Sequence, residues 1–158
     1  MALNRGKQFE LKFKECWLKS FPNSFLYRLN DQMSGYKVSS SNICDFIAFN
    51  LNKLYLLEIK SHEGNTFPIN NLTQYNKLVG KVGIPGVRAG VIIWFIDHDR
   101  VIYVPINTIT QLINDGKKSV NINKIEAEGY RIINIPSIKK RVFLDSDYSI
   151  LMTLEDFD

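Results

Sequence analysis

Apolar residues alternate with other residues in two runs, 43–49 and 54–60, which flank a short turn-like stretch containing two asparagines. Alternation of this kind predicts two β-strands, and the short connection predicts that they form a hairpin. Successive side chains of a strand point to opposite faces, so Asp45 shares a face with apolar residues of the first strand. Glu58 and Lys60 share a face of the second strand. We expect the rest of the fold to be organised around this hairpin.

A helical spacing of apolar residues predicts the first helix over residues 4–20, with Asn4 as its N-cap. The residues expected to form its buried stripe are Phe9, Phe13, Cys16, Trp17 and Ser20. Glu10 lies at the border of this stripe, and Gly6, one turn earlier, leaves room for another group to approach. Glu10 is therefore either a functional acid or a solvated helix residue.

The rest of the chain predicts an α/β protein. The further elements are a strand at 24–29, a polar loop at 30–42, a helix at 72–81 capped by Asn70 or Asn71, a loop at 83–90, strands at 91–96 and 101–104 joined by a tight turn at 97–100, and a short helix over 106–113 ending near Gly116. From residue 119 onward we expect peripheral elements with little chemistry. The order helix, strand, hairpin, helix, strand predicts a mixed β-sheet with helices on both faces.

The composition is that of a folded globular protein rather than a disordered chain. Apolar residues make up 45% and aromatic residues 12% of the 158 residues, which suffice for one domain, 1–158, with a substantial core. The net charge of +4 favours polyanionic partners such as nucleic acid only mildly, because many proteins of other function are equally basic.

Cysteine and histidine are too sparse for a zinc site. Cys16 and Cys44 lack metal-ligand spacing, and His62 and His98 are the only histidines. We expect both cysteines to be buried and reduced, as in a cytoplasmic protein. No apolar run approaches the roughly 18 residues of a membrane span and no signal peptide opens the chain, so we expect a cytoplasmic location without membrane contact.

Three charged residues, Asp45, Glu58 and Lys60, interrupt the otherwise apolar strands of the hairpin. A buried charge is costly unless it is paired or binds a metal, so two acids and a lysine on adjacent strands indicate a divalent-metal site with a cation beside it. A second interpretation stays open: Glu58 and Lys60 form a solvated salt bridge, and Asp45 is a turn residue. The spacing Asp, twelve residues, Glu, one residue, Lys is the short and degenerate pattern of the PD-(D/E)xK nuclease superfamily.

Further motifs within residues 4–105 occur in the order and spacing of one nuclease family. They are Asn4-Arg5-Gly6 followed by Glu10, Asp45-Phe46, Glu58-Ile59-Lys60-Ser61, Phe67-Pro68 with the later Gln74, and Gly90 before an apolar strand. On these residues the chain resembles a short, phage-like member of the RecU-type Holliday-junction resolvases. The resemblance implies a restriction-endonuclease-like fold and a homodimeric, magnesium-dependent endonuclease that cuts four-way DNA junctions by paired nicks in recombination and repair.

The resemblance also implies roles for individual residues. Asp45, Glu58 and the backbone carbonyl of Ile59 would bind Mg²⁺, with Mn²⁺ left open, and Glu10 would bind a second metal or hold a metal-bound water. Lys60 would orient or deprotonate the attacking water, or stabilise the developing negative charge. The candidates for DNA contact are Arg5, Lys7, Arg28, Tyr36, Lys37 and Gln74.

The chain departs from the family pattern at three points. Cys44 stands where the superfamily has proline, Thr73 stands where the family has histidine, and only the loop 30–42 is available as a junction-entering stalk. Unless this loop is a plain surface connection, we expect Tyr36 to stack on an unpaired base and Lys37 to meet phosphate, which would favour branched DNA. Two other functions remain open: a repair or restriction nuclease of the same fold, and a non-catalytic DNA-binding module.

Overall fold

The structure is a computed structural model that describes residues 4–30 and 42–153. Its α-helices are α1 (Arg5–Ser20), α2 (Tyr75–Val79) and α3 (Ile106–Asn114). Its strands are β1 (Phe25–Arg28), β2 (Phe46–Asn50), β3 (Lys53–His62), β4 (Thr66–Pro68), β5 (Val87–Phe95), β6 (Arg100–Pro105), β7 (Ser119–Asn121), β8 (Ile133–Ile135), β9 (Ser137–Lys139) and β10 (Leu144–Ser146). None of these helices has both the length and the apolar character needed to cross a bilayer.

Six of the described strands form one mixed sheet in the order β1-β2-β3-β5-β6-β8. β3 and β5 are parallel, and the other neighbouring pairs are antiparallel. The parallel pair requires a long connection, because the chain must return to the same end of the sheet, and α2 lies in that connection. The predicted α/β class, a mixed sheet flanked by helices, is confirmed.

Helices cover both faces of this sheet. On one face, Phe13 of α1 and Leu57 of β3 belong to the same apolar core. On the other face, Leu78 of α2 and Ile109 of α3 share a second core with Leu56 of β3. Alternate residues of β3 therefore enter different cores, so the position of a residue along β3 decides which face its side chain occupies.

A tight turn between β2 and β3 closes the predicted hairpin. Leu51 and Asn52 have φ angles of 46° and 70°, the left-handed conformation of a two-residue turn whose twist matches that of the flanking strands. At the other end of the hairpin the register pairs Phe46 with Leu57. The hairpin that the alternation predicts is confirmed.

α1 occupies the segment that its apolar spacing predicts. The Asn4 side chain accepts a hydrogen bond from the Lys7 backbone N–H at 3.2 Å and so caps the first turn. The fully buried residues of α1 are Phe9, Phe13, Cys16 and Trp17. The Phe13 ring packs edge-on against Phe46 of β2, with ring centroids 5.0 Å apart. α1 therefore packs directly on the strand that follows Asp45.

β5 begins earlier than predicted. The loop expected at 83–90 ends at Gly86, because the strand already includes Arg88 and Gly90. Arg88 is buried, and a Cβ atom at Gly90 would overlap the Tyr103 ring of β6. Only glycine allows β5 and β6 to pack at this register. Arginine and glycine do not favour a buried strand by propensity, so tertiary contacts decided this boundary.

The helix predicted over 72–81 is wrong in extent. α2 has only five residues, and Gln74 precedes it instead of either predicted cap. A 3-10 turn, Ile69–Asn71, occupies the segment before it. Leu72 and Leu78 are buried against the second core. A helix this short is not stable by its own propensity, so the burial of these leucines holds it in place.

The prediction that the chain after α3 is peripheral is wrong in packing. β8 extends one edge of the main sheet, β7 pairs with β4, and β9 pairs with β10. Tyr148 is buried in the first core and Val120 in the second, so this segment closes both cores. Its strands are only three residues long, so no regular apolar period indicated their burial.

Both cysteines are buried free thiols, as predicted. Burial raises the pKa of Cys16, and it raises the pKa of Cys44 to about 12. Both thiols therefore stay protonated at neutral pH and pack as small apolar groups.

Candidate active site

Asp45, Glu58 and Lys60 come together where β2 and β3 end their pairing. Asp45 directly precedes β2, and its backbone N–H donates a hydrogen bond to the Leu57 carbonyl at 3.1 Å. Glu58 and Lys60 follow on β3 and lie on the face that carries the second core. The antiparallel register and the alternation place the Asp45 side chain on this same face.

The Asp45 carboxylate continues the backbone pairing that the two strands no longer make. Its Oδ2 accepts a hydrogen bond from the Ile59 backbone N–H at 2.8 Å. A buried backbone N–H needs an acceptor, and beyond the last residue pair of β2 and β3 the side chain supplies it. This bond fixes the orientation of the Asp45 carboxylate beside the Glu58 side chain.

Glu58 is a buried acid, with only 4% of its surface exposed. The Lys60 Nζ lies 3.7 Å from its Oε2. Burial, the nearby negative charge of Asp45 and a hydrogen bond with that carboxyl raise the pKa of Glu58 to about 8, although Lys60 opposes the rise. Without a further cation, Glu58 is therefore largely protonated at neutral pH.

The raised pKa of Glu58 predicts that the metal-free protein loses stability as pH increases. The pKa rises from 4.5 to about 8 on folding, so between these values the folded state retains a proton that the unfolded state has released. Raising the pH through this window lowers the free energy of unfolding, by about 1.4 kcal/mol for each unit of the pKa difference.

Urea unfolding in EDTA from about pH 5 to pH 9 tests this expectation. Glu58→Gln removes the titrating group, so the wild-type protein should lose stability relative to this variant as pH increases towards 8. A difference between the two proteins that does not change with pH would contradict the raised pKa of Glu58.

Glu10 forms an ion pair with Arg28 and does not contact Asp45 or Glu58 through a hydrogen bond in the described residues. Its Oε2 accepts a hydrogen bond from the Arg28 Nε at 2.8 Å. Arg28 also donates to the Leu29 carbonyl at 3.1 Å, and the Leu29 backbone N–H donates to the Asp45 carbonyl at 2.9 Å. In the described ranges no three His, Cys, Asp or Glu side chains are arranged to hold a metal. Glu10 therefore connects α1 to the strand segment at Asp45, and its predicted role as a metal ligand stays a prediction.

The predicted DNA contacts are spread over several elements. Arg5 and Lys7 lie in the first turn of α1, where Lys7 is exposed and Arg5 half-buried. Gln74 precedes α2, and its Oε1 is buried without a hydrogen-bond partner in the part of the chain that the structure describes. An unpaired buried acceptor is unusual, which keeps Gln74 a candidate for contact with a ligand.

Most of the predicted stalk-like loop lies outside the described residues, including Tyr36 and Lys37. The two ends of the loop are described: the Asn42 side-chain Nδ2 donates a hydrogen bond to the Asn30 carbonyl at 2.6 Å. Whatever the loop contacts, this bond joins its two ends just before Asp45. The predicted preference of the loop for branched DNA stays a prediction.

Two features near the acids were missed at the sequence level. His62 lies one step beyond Lys60 on the same face of β3. Phe25, Tyr27 and Phe49 are half-exposed on β1 and β2, on the face that carries Asp45. The alternation of side chains along the strands could have identified both features. Once the strands are placed in register, it puts His62 and the three aromatic residues on the face that carries the acids.

Comparison with known proteins finds limited similarity. No protein-family model matches the sequence, and no curated protein matches it either. The structure is similar to the solved structure of Archaeoglobus fulgidus Hjc, a Holliday junction resolvase from an archaeal hyperthermophile. The match covers 65% of this chain and 78% of the Hjc chain. The identity is 21% and the TM-score 0.45. At these values the likeness assigns neither the site nor the activity.

Proposed function

We propose that this chain is a magnesium-dependent endodeoxyribonuclease that resolves four-way DNA junctions by paired nicks. The observation that carries the proposal is the pair of adjacent acids, buried Glu58 and half-buried Asp45, with Lys60 beside Glu58 where the pairing of β2 and β3 ends. These residues have the types and the spacing of the nuclease motif in the sequence, and their proximity in the structure supports the proposal.

The two acids fit a hard divalent cation. Mg²⁺ prefers carboxylate, carbonyl and water oxygens, and Asp45, Glu58 and the Ile59 carbonyl would supply protein ligands. Glu58 keeps a raised pKa although Lys60 lies beside it, so both carboxyls are stable in the ionised form only with a further cation close to them. Mn²⁺ has similar ligand preferences and remains an alternative. When bound, such an ion lowers the pKa of a water and offsets charge on the reacting phosphate.

The protein side chains contribute orientation and charge. The Ile59 N–H holds the Asp45 carboxylate in one direction, so this acid does not have to reorganise when the substrate binds. The Lys60 ammonium lies beside Glu58, where it orients the attacking water or stabilises negative charge on the phosphate. Glu10 and Arg28 fix the position of α1 against the strand segment at Asp45. Arg5, Lys7, Arg28 and Gln74 are the described candidates for contacts that position the DNA.

A non-catalytic DNA-binding function accounts less well for this site. A protein that only binds DNA gains nothing from placing two acids, one of them buried, on the face that meets phosphate, because acids repel phosphate and burial costs desolvation. The preference for four-way junctions rests on the RecU-type motifs of the sequence. A repair or restriction nuclease would use the same site with another substrate.

Incubation of the purified protein with an end-labelled four-way junction, and with a duplex of the same arm sequence, tests the function. We expect paired nicks in the junction with Mg²⁺, much slower cutting of the duplex, and no cutting in EDTA. Equal cutting of both substrates would support another nuclease of this fold. Binding without cutting, in Mg²⁺ or Mn²⁺, would support a DNA-binding module.

We further expect the protein to form a homodimer that presents two sites to the two strands. Paired nicks in a nearly symmetric junction require two equivalent sites, which a twofold dimer provides. We propose the half-exposed aromatic residues of β1 and β2 as the dimer face. β1 is an edge strand of the sheet. Its residues Phe25 and Tyr27 are 56% and 51% exposed, and Phe49 on the neighbouring β2 is 50% exposed. A second copy would cover both the strand edge and the aromatic side chains.

Light scattering at micromolar concentration, with and without junction DNA, measures the oligomeric state. We expect a dimer for the wild-type protein and a monomer for Tyr27→Glu, because a charge in a paired aromatic face is costly. Leu11→Glu is the matched control, since Leu11 is 65% exposed on α1, away from this face, and its variant should remain dimeric. A monomeric wild-type protein under both conditions would refute the dimer.

A further inference from the structure

His62 is the last residue of β3 and follows Glu58 and Lys60 on the same face of the strand. Residues two apart in a strand are separated by roughly 6.6 Å along its axis. Lys60 pairs in register with Ile93 of β5, and His62 pairs with Phe95. The His62 side chain is half-buried. The row of functional side chains therefore continues one step past Lys60, towards the end of the sheet.

The His62 ring is held between two buried phenylalanines. It packs edge-on against Phe67 of β4, with ring centroids 5.6 Å apart and an interplanar angle of 87°. It also packs edge-on against Phe95, at 6.0 Å and 81°. Phe67 and Phe95 are 2% and 0% exposed, so neither can move away easily. These contacts fix the position of the ring.

The two histidines of the chain differ in how their nitrogens are used. The His98 Nε2 lies 2.6 Å from the Asn65 side-chain oxygen and is committed to that hydrogen bond. In the described ranges, neither ring nitrogen of His62 has a hydrogen-bond or ion-pair partner. A ring held by packing, with a free N–H group and partial access to solvent, is suited to a directional contact with a ligand.

We propose that His62 donates a hydrogen bond to a backbone phosphate of the DNA, next to the phosphate on which Asp45, Glu58 and Lys60 act. This inference rests on the proposed nuclease function and adds a substrate contact to it. Since the ring is already fixed, little conformational entropy is lost when the contact forms. The contact would place the DNA strand in register with the acids and contribute mainly to substrate binding.

The simpler interpretation is that His62 only covers Phe67 and Phe95. His62→Phe distinguishes this interpretation from the phosphate contact, because it retains an aromatic ring for packing and removes the nitrogens. His62→Asn restores a side-chain donor on a shorter side chain. His98→Phe is the matched control, as it replaces the other histidine, whose hydrogen bond is internal.

Steady-state cleavage of a labelled four-way junction in Mg²⁺ at fixed salt is the first test. We expect His62→Phe to raise KM about tenfold with a much smaller change in kcat and in melting temperature. His62→Asn should recover part of the loss, and His98→Phe should behave as the wild-type protein. A KM for His62→Phe equal to that of the wild-type protein would overturn the proposal.

Histidine-selective ¹⁵N labelling of the wild-type protein provides a readout that does not need cleavage or a change at His62. Addition of junction DNA in EDTA should shift the ring signals of His62 and leave those of His98 unchanged, with His98→Phe used for assignment. If DNA binds and the His62 signals do not move, the proposal is wrong while the nuclease function stands. If the wild-type protein binds no DNA, the proposed function and this inference both fail.

Discussion

An Asp45→Asn variant should cut DNA about three or more orders of magnitude more slowly than the wild-type protein and bind DNA as tightly or more tightly. The carboxylate would be a metal ligand, and the charge stabilisation that the metal provides is worth several kcal/mol in the transition state. Binding should not weaken, because the change removes a negative charge that repels phosphate. Glu58→Gln should lose cleavage in the same way, since it removes the second acid of the pair. Its DNA binding without metal should stay close to that of the wild-type protein, because Glu58 is then largely protonated at neutral pH.

Single-turnover cleavage in Mg²⁺ and a separate binding titration in EDTA measure the two quantities. Glu15→Gln is the matched control: the same chemical change is made at an acid whose side chain is 71% exposed on α1. This control should cut at the wild-type rate. If Asp45→Asn or Glu58→Gln also cuts at the wild-type rate, the active site has been assigned to the wrong residues.

A Lys60→Ala variant should lose two or more orders of magnitude in the cleavage rate and retain the fold. Groups that transfer protons or stabilise developing charge typically contribute effects of about this size. The Lys60 side chain is 30% exposed, so solvent can enter the space that its removal leaves. Its loss also leaves the buried Glu58 without its nearest cation, which should raise the pKa of that acid further.

Cleavage rates and melting temperatures of Lys60→Ala, measured together, distinguish catalysis from structure. Lys53→Ala, at the opposite end of the same strand, is the control and should cut normally. A small loss of rate together with a large fall in melting temperature would show that Lys60 serves mainly as the ion-pair partner of Glu58. The lysine would then have no direct part in the reaction.

The proximity of the two acids could be predicted from the sequence, but their electrostatic state could not. A two-residue turn and a period of two set the register, so Asp45 and Glu58 had to share a face of neighbouring strands. The raised pKa of Glu58 depends on burial by side chains from distant parts of the chain. Likewise, Glu10 pairs with Arg28, 18 residues away, and no local pattern indicates this partner.

The sequence by itself determined the elements whose apolar period is regular and whose ends carry a clear signal. The hairpin and α1 are of this kind, because alternation, a turn sequence and an N-cap act within a few residues. Only the tertiary structure decided where β5 begins, how short α2 is, and which aromatic rings hold His62. At Gly90 the reason is the Tyr103 ring, and at His62 it is Phe67, which reaches β3 from another strand. Such positions are set by packing between segments that are far apart in the chain, and local propensity does not depend on that packing.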